Sequence, residues 1–243
     1  MGHWDRILKY IRGGPSAIDG WPDPIPAAEL AETVERTLGA ALHAIGFETV
    51  GPRRWVRSTR APVRDVIELG ALKGSCYAPA WGLSLDFVPH LTAKGEGRWH
   101  RTAKQARFDL VHRPLDYAAT AEENREWTLG SMATRPELAE DLARVTRLTL
   151  AEAPRLWDRV RAPEDLPGIY DEYARRPATG LPFRSYPPQV LAHAFVKARA
   201  GLDGRAALAE FVREYDVPAA AARKLEALIR GRRRPGAAVT GAS

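Results

Sequence analysis

The spacing of apolar residues changes twice along this chain, and those changes constrain its fold more than any other feature. From Leu30 to Ile45 apolar residues recur at helical spacing, and between Arg54 and His112 they alternate. From Ala118 onward the helical period returns. Consecutive strands set apart from the helices predict an α+β fold: an antiparallel meander sheet of about four strands packed with helices, followed by a C-terminal helical appendage. A chain alternating strand and helix would instead build a parallel sheet.

Strands are expected over Arg54–Arg60, Val63–Leu72, Tyr77–Val88 and Arg107–His112, separated by Gly, Pro or Lys-Gly punctuation. The third is the clearest, because Trp81, Leu83, Leu85 and Phe87 alternate with Gly82, Ser84, Asp86 and Val88. Successive side chains of a strand point to opposite faces. Trp55 and Arg57 therefore share one face, while Arg54, Val56, Ser58 and Arg60 share the other.

The helix that opens the core starts at Pro24 and Pro26, carries Leu30, Val34, Leu38, Leu42 and Ile45 on one face, and stops at Gly46. Thr134 and Glu137 form a capping box before the stripe Leu138, Leu142, Val145 and Thr149. Pro154 predicts a kink or an end before Leu156 and Trp157. Leu166, Ile169, Tyr170 and Tyr173 form a further stripe. Helices over Pro188–Arg199, Arg205–Tyr215 and Ala219–Arg230 follow, with Asp203 and Asp216 as expected caps and Pro218 at a first helical position. The expected organisation is an N-terminal helix (Trp4–Ile11) and Pro/Gly-rich linker over 1–25, an α+β core domain over 26–178, the appendage over 183–230, and a disordered basic tail over 231–243.

Composition excludes several classes. In 243 residues the apolar share is 45% and the charged share 27%, too apolar for a disordered chain. Cys76 is the single cysteine, so no internal disulfide can form and a secreted disulfide scaffold is excluded. Met1–Arg12 lacks the apolar core of a leader, and no run approaches the roughly 18 apolar residues of a membrane span. These features predict a cytoplasmic protein with no membrane partner. The net charge of +6 is uneven: Arg223–Arg234 holds six basic residues against one acid, and Gly51–Leu115 holds twelve against five. Asp116–Asp141 holds seven acids against two arginines, so an acidic stretch directly follows a basic one.

Four runs, Ile45-Gly46-Phe47, Arg54-Trp55-Val56-Arg57, Asp65-Val66-Ile67-Glu68-Leu69 and Trp81-Gly82-Leu83-Ser84-Leu85, resemble a bacterial domain family, domain of unknown function 4304. Val111-His112-Arg113, Leu156-Trp157-Asp158 and Pro163-Glu164-Asp165-Leu166 look similar too, so the resemblance covers Pro26 to Arg175. It implies a fold and brings no catalytic residues with it.

Asp86, His90, His100, Asp109 and His112 are residue types that bind first-row metals, but the spacings of established zinc motifs are missing. Asp65, Glu68 and Lys73 lack the parity of a nuclease site, because Glu68 and Lys73 would face opposite sides of a strand. There is no phosphate-cradling loop and no Gly-x-Ser-x-Gly elbow, and Cys76 has no evident base beside it. The remaining signal is basic residues interleaved with aromatics: Arg54, Trp55 and Arg57, then Arg101, Lys104 and Arg107, with Arg53, Arg60, Arg64, Arg98 and Trp99 among them. Guanidinium groups beside indole faces suit phosphates and stacked bases, and equally suit acidic protein surfaces. The sequence therefore predicts a non-enzymatic binding or accessory protein. It needs no cofactor and engages an acidic protein or nucleic acid through Arg54, Trp55, Arg57, Arg101, Lys104 and Arg107. One alternative is a metal-assisted hydrolase using Asp86, His90 and His112; another is an immunity-type protein of a toxin system presenting the acidic stretch Asp116–Asp141.

Overall fold

A computed structural model describes residues 25–72, 76–92, 97–116, 119–120, 122–131, 133–175 and 183–231. The expected helix Trp4–Ile11, the linker after it, Lys73 and the basic tail beyond Gly231 lie outside the described residues.

Helix α1 runs over Ala27–Val34, passes through a π-helical turn at Glu35–Gly39 and finishes over Ala40–His43. Leu30, Val34, Leu38 and Leu42 are buried on its inner face, whereas Ile45 lies past its end and is exposed. The wide turn has a local cause. The Glu35 carboxyl group folds back over Gly39, where a Cβ would stand 2.7 Å from Glu35 Cδ. Gly46, at φ +88°, then turns the chain into the sheet.

The sheet contains β1 (Glu48–Gly51), β2 (Arg54–Arg57), β3 (Val63–Ala71), β4 (Cys76–Leu85), β7 (Leu110–His112) and β8 (Leu129–Gly130). Its order is β1-β2-β3-β4-β7, all antiparallel, with β8 pairing on the first residues of β4. A separate hairpin, β5 (Pro89–Leu91) with β6 (Gly97–Trp99), is inserted between β4 and β7. The meander and its helical cover are as the sequence predicts, but the strand ends differ. The first predicted strand stops at Arg57, the third stops at Leu85, and the last begins only at Leu110.

In register, Trp55 faces Ile67 and Ile67 faces Trp81. These residues, with Leu69, Leu83 and Leu85, form the sheet's side of the main core. The opposite face carries a smaller apolar group of Val56, Val66, Ala80, Ala106, Phe108 and Val111.

Helix α2 spans Arg135–Trp157 behind the capping box: Glu137 N donates to Thr134 Oγ1 at 3.4 Å and Thr134 N to Glu137 Oε2 at 2.8 Å. Pro154 neither ends nor splits it, which corrects the sequence expectation. A proline this near the C-terminus removes one internal hydrogen bond, and continuing the helix buries Leu156 and Trp157, whose Nε1 donates to Gly82 O at 3.2 Å. Helices α3 (Leu166–Arg175), α4 (Pro187–Arg199), α5 (Gly204–Glu214) and α6 (Ala219–Arg230) follow. Asp203 caps α5, but Pro218 takes the N-cap of α6 and Asp216 sits instead in a left-handed turn at φ +47°. One buried apolar cluster runs from α1 through the sheet to Ile229 of α6, so the last helices share the sheet's core. No helix among the described residues is long and apolar enough to cross a membrane.

Candidate functional site

Strand parity separates the arginines into two environments. On the helix-covered face Arg57 Nε meets Asp65 Oδ2 at 2.8 Å, and its guanidinium lies 5.0 Å from the Phe47 ring and 5.2 Å from Trp157. Arg60, in the turn after β2, takes the other oxygen of Asp65 and donates to Trp157 O at 2.6 Å and to Val160 O. Trp55 is fully buried, with Nε1 donating to Glu35 Oε2 at 3.1 Å. Trp55 is therefore core and cannot meet an external partner, while Arg57 is half-buried and shares the Asp65 carboxylate with Arg60. Arg64 is buried on the outer face, where it grips both oxygens of Asp86 at 2.8 Å and donates to Arg101 O at 2.8 Å. The carboxylates that clasp these arginines come from the sheet and the turn after β4, not from the acidic stretch Asp116–Asp141.

On the outer face a cleft of about 380 Å³ opens beside the smaller apolar group. Its floor is made by small residues of β3 and β4, including Gly70, Ala78 and Ala80. Its walls carry Arg54, Arg107 and Arg113, with Glu68 and Tyr186. Arg54 donates through Nη2 to Ala106 O, which ties β2 to the chain segment crossing the sheet. Arg54 Nε is buried with no hydrogen-bond partner among the described residues, and Glu68 Oε2 stands 3.8 Å from it. Three guanidinium groups thus share the cleft with one carboxylate. Burial raises the Tyr186 hydroxyl above its ordinary pKa, so it stays protonated as a donor at the cleft wall.

Of the six residues singled out from the sequence, Arg54 and Arg107 line this cleft. Arg101 and Lys104 are exposed on the segment after the hairpin, Arg101 with its guanidinium 4.9 Å from the Trp99 ring. Sequence reading missed Arg113, Glu68 and Tyr186 as cleft residues. Parity alone pairs Arg54 with Glu68 on one face, but nothing local to Tyr186 signals that the start of α4 closes over the sheet.

The histidines divide in the same way. His90 Nε2 lies 2.9 Å from Arg107 Nη1, and the His90 and His100 ring centroids are 5.4 Å apart. His112 lies on the helix-covered side, stacked on Trp81 at 4.8 Å with Nδ1 3.2 Å from Tyr173 Oη. Asp86, His90 and His112 are thus not brought together, and no group of three His, Cys, Asp or Glu among the described residues could hold a metal ion. Asp109 accepts from Leu85 N at 2.6 Å, and burial pushes its carboxyl up to about 8. Cys76 is buried, and burial followed by the charge of Asp141 pushes its thiol up to about 11, a poor state for a nucleophile. Asp141 itself pairs with Arg144 at 2.6 Å, so part of the acidic stretch is neutralised within its own helix.

No family model matches the chain, no curated protein matches its sequence, and no solved structure matches its fold.

Proposed function

We propose that the protein binds an anionic partner at the outer face of its sheet, with an anionic group of that partner seated among Arg54, Arg107 and Arg113. The observation that carries this reading is a contrast. Arg57, Arg60 and Arg64 are each held by a carboxylate at hydrogen-bond distance, while in the cleft Arg54 Nε has no hydrogen-bond partner among the described residues, Glu68 stands 3.8 Å from it, and Arg107 meets the His90 imidazole. Exposed Arg98, Arg101 and Lys104 extend positive charge outward from it, so an acidic protein or a nucleic acid would be drawn to this side. The role is binding rather than catalysis, and a cytoplasmic setting fits a single buried thiol. The resemblance to domain of unknown function 4304 adds no chemistry to this reading.

Fluorescence anisotropy with a labelled single-stranded oligonucleotide and a labelled polyglutamate peptide tests it. Binding of at least one probe should weaken by about tenfold or more between 50 and 200 mM salt, because several phosphates or carboxylates are neutralised together. Arg54→Gln with Arg107→Gln should abolish it, while exposed Arg36→Ala on α1 should not. Binding that ignores salt, or that survives the double substitution, would overturn the proposal.

A further inference from the structure

Arg107 is held at the cleft wall by an imidazole, and that contact constrains the chemistry of the ligand. A guanidinium can only donate, so at 2.9 Å from Arg107 Nη1 the His90 Nε2 must be unprotonated. Behind it stands His100, whose Nε2 is buried with no hydrogen-bond partner among the described residues. Arg107 and Arg54 both act on His100, so the ring lies within electrostatic reach of two of the three cleft arginines. Neither imidazole is ion-paired with a carboxylate among the described residues. The donors around the cleft come from β2 (Arg54), the segment between the hairpin and β7 (Arg107), the residue after β7 (Arg113) and the residue preceding α4 (Tyr186). Several guanidinium groups around one cleft suit a dianion with three acceptor oxygens better than the singly charged carboxylate.

Resting on the cleft reading above, we propose that the group recognised is a phosphate monoester, and that its binding draws a proton onto the His90–His100 pair. A proton on His90 Nε2 ends its acceptor role, which frees Arg107 to turn to the phosphate. The imidazolium then stands beside a dianion instead of beside bare guanidinium groups. Their surroundings make both rings give up a proton more readily than a free imidazole. Burial and then Arg107 lower His90; burial, Arg107, His90 and Arg54 lower His100, to about 4. A bound dianion reverses the electrostatic part of that balance, so affinity for the dianionic form must rise as pH falls.

Isothermal titration of the full chain with phenyl phosphate, at pH 6 and pH 8 in buffers of differing ionisation enthalpy, reads this directly. The expected result is proton uptake by the protein beyond what the ligand itself releases and, per mole of phosphate dianion, binding that tightens from pH 8 to pH 6, by up to about tenfold for each pKa unit gained on a bound imidazole. His90→Asn should flatten the pH profile, and phenylacetate should bind far more weakly than phenyl phosphate. Wild-type binding with no such proton uptake, or phenylacetate binding as tightly, overturns this inference. So does polyanion binding with no binding of phenyl phosphate. In those cases the cleft reading survives if Arg54→Gln with Arg107→Gln still abolishes polyanion binding, and it falls with the inference if that variant binds normally.

Discussion

Asp109 carries a desolvation cost that its neighbours relieve only in part. Its carboxyl accepts from Leu85 N and sits near Asp86, while Tyr170 Oη donates to its backbone carbonyl at 2.9 Å. A folded pKa raised to about 8 lies far above the ordinary carboxyl value. The proton is therefore retained on folding, and the resulting stability is full below the unfolded pKa and lost as pH rises through 8. Asp109→Asn keeps the acceptor for Leu85 N and removes the ionisation. Its thermal midpoint should match wild type near pH 4 and exceed it at pH 9, by at least about 2–4 °C if the gain reaches only about 1 kcal/mol. Parallel curves from pH 4 to pH 9 would show that the carboxyl titrates normally. That the Asp109 carboxyl would lose water on folding was not legible, because Leu85, which donates to it, and Tyr170, which donates to its backbone carbonyl, come from β4 and α3.

At the scale of elements, β7 reaches β4 only because position 82 has no side chain. A Cβ on Gly82 would stand 1.9 Å from Leu110 O and 3.1 Å from Phe108 Cδ1, both parts of the segment that crosses the outer face toward the cleft. Gly82→Ala must push that segment away, so urea unfolding should show a loss of about 2 kcal/mol or more. Gly51→Ala, with nothing within 4 Å of the new carbon, should stay within about 0.5 kcal/mol. Equal losses at the two sites would refute the close crossing. The strands bounded by Gly and Pro were readable because turn chemistry and alternation agree there. β1 and the β5–β6 hairpin were not, since Glu48–Gly51 and Gly97–Trp99 are too short and polar to show a period. Pro154 misled for a related reason: local geometry argued for a break, and the burial of Trp157 against Phe47, 5.1 Å between ring centroids, outweighed it.

For the whole molecule, the division into a core domain and an appendage was drawn from the run of helices that follows Pro177–Pro182, whereas packing is decided by which faces meet. Gln189 of α4 accepts from Val111 N of β7 at 3.3 Å, and Arg199 lies 4.7 Å over the Phe87 ring. His193 of α4 bonds Asp171 of α3 at 2.8 Å, and the buried apolar cluster continues from Leu30 to Ile229 without a gap. A shared core predicts cooperative unfolding, because removing α4–α6 would expose the side chains of β7 and α3 that they cover. In urea, tryptophan fluorescence, to which buried Trp55, Trp81 and Trp157 contribute among the chain's seven tryptophans, should shift with the same midpoint and slope as far-UV circular dichroism, which is weighted toward the helices. Separate midpoints, with helical signal lost before the tryptophans are exposed, would instead mean that the C-terminal helices melt on their own. The cleft would then lose Tyr186 while keeping its arginines. Coincident curves would tie the cleft's integrity, and with it any anion affinity, to the stability of the whole chain.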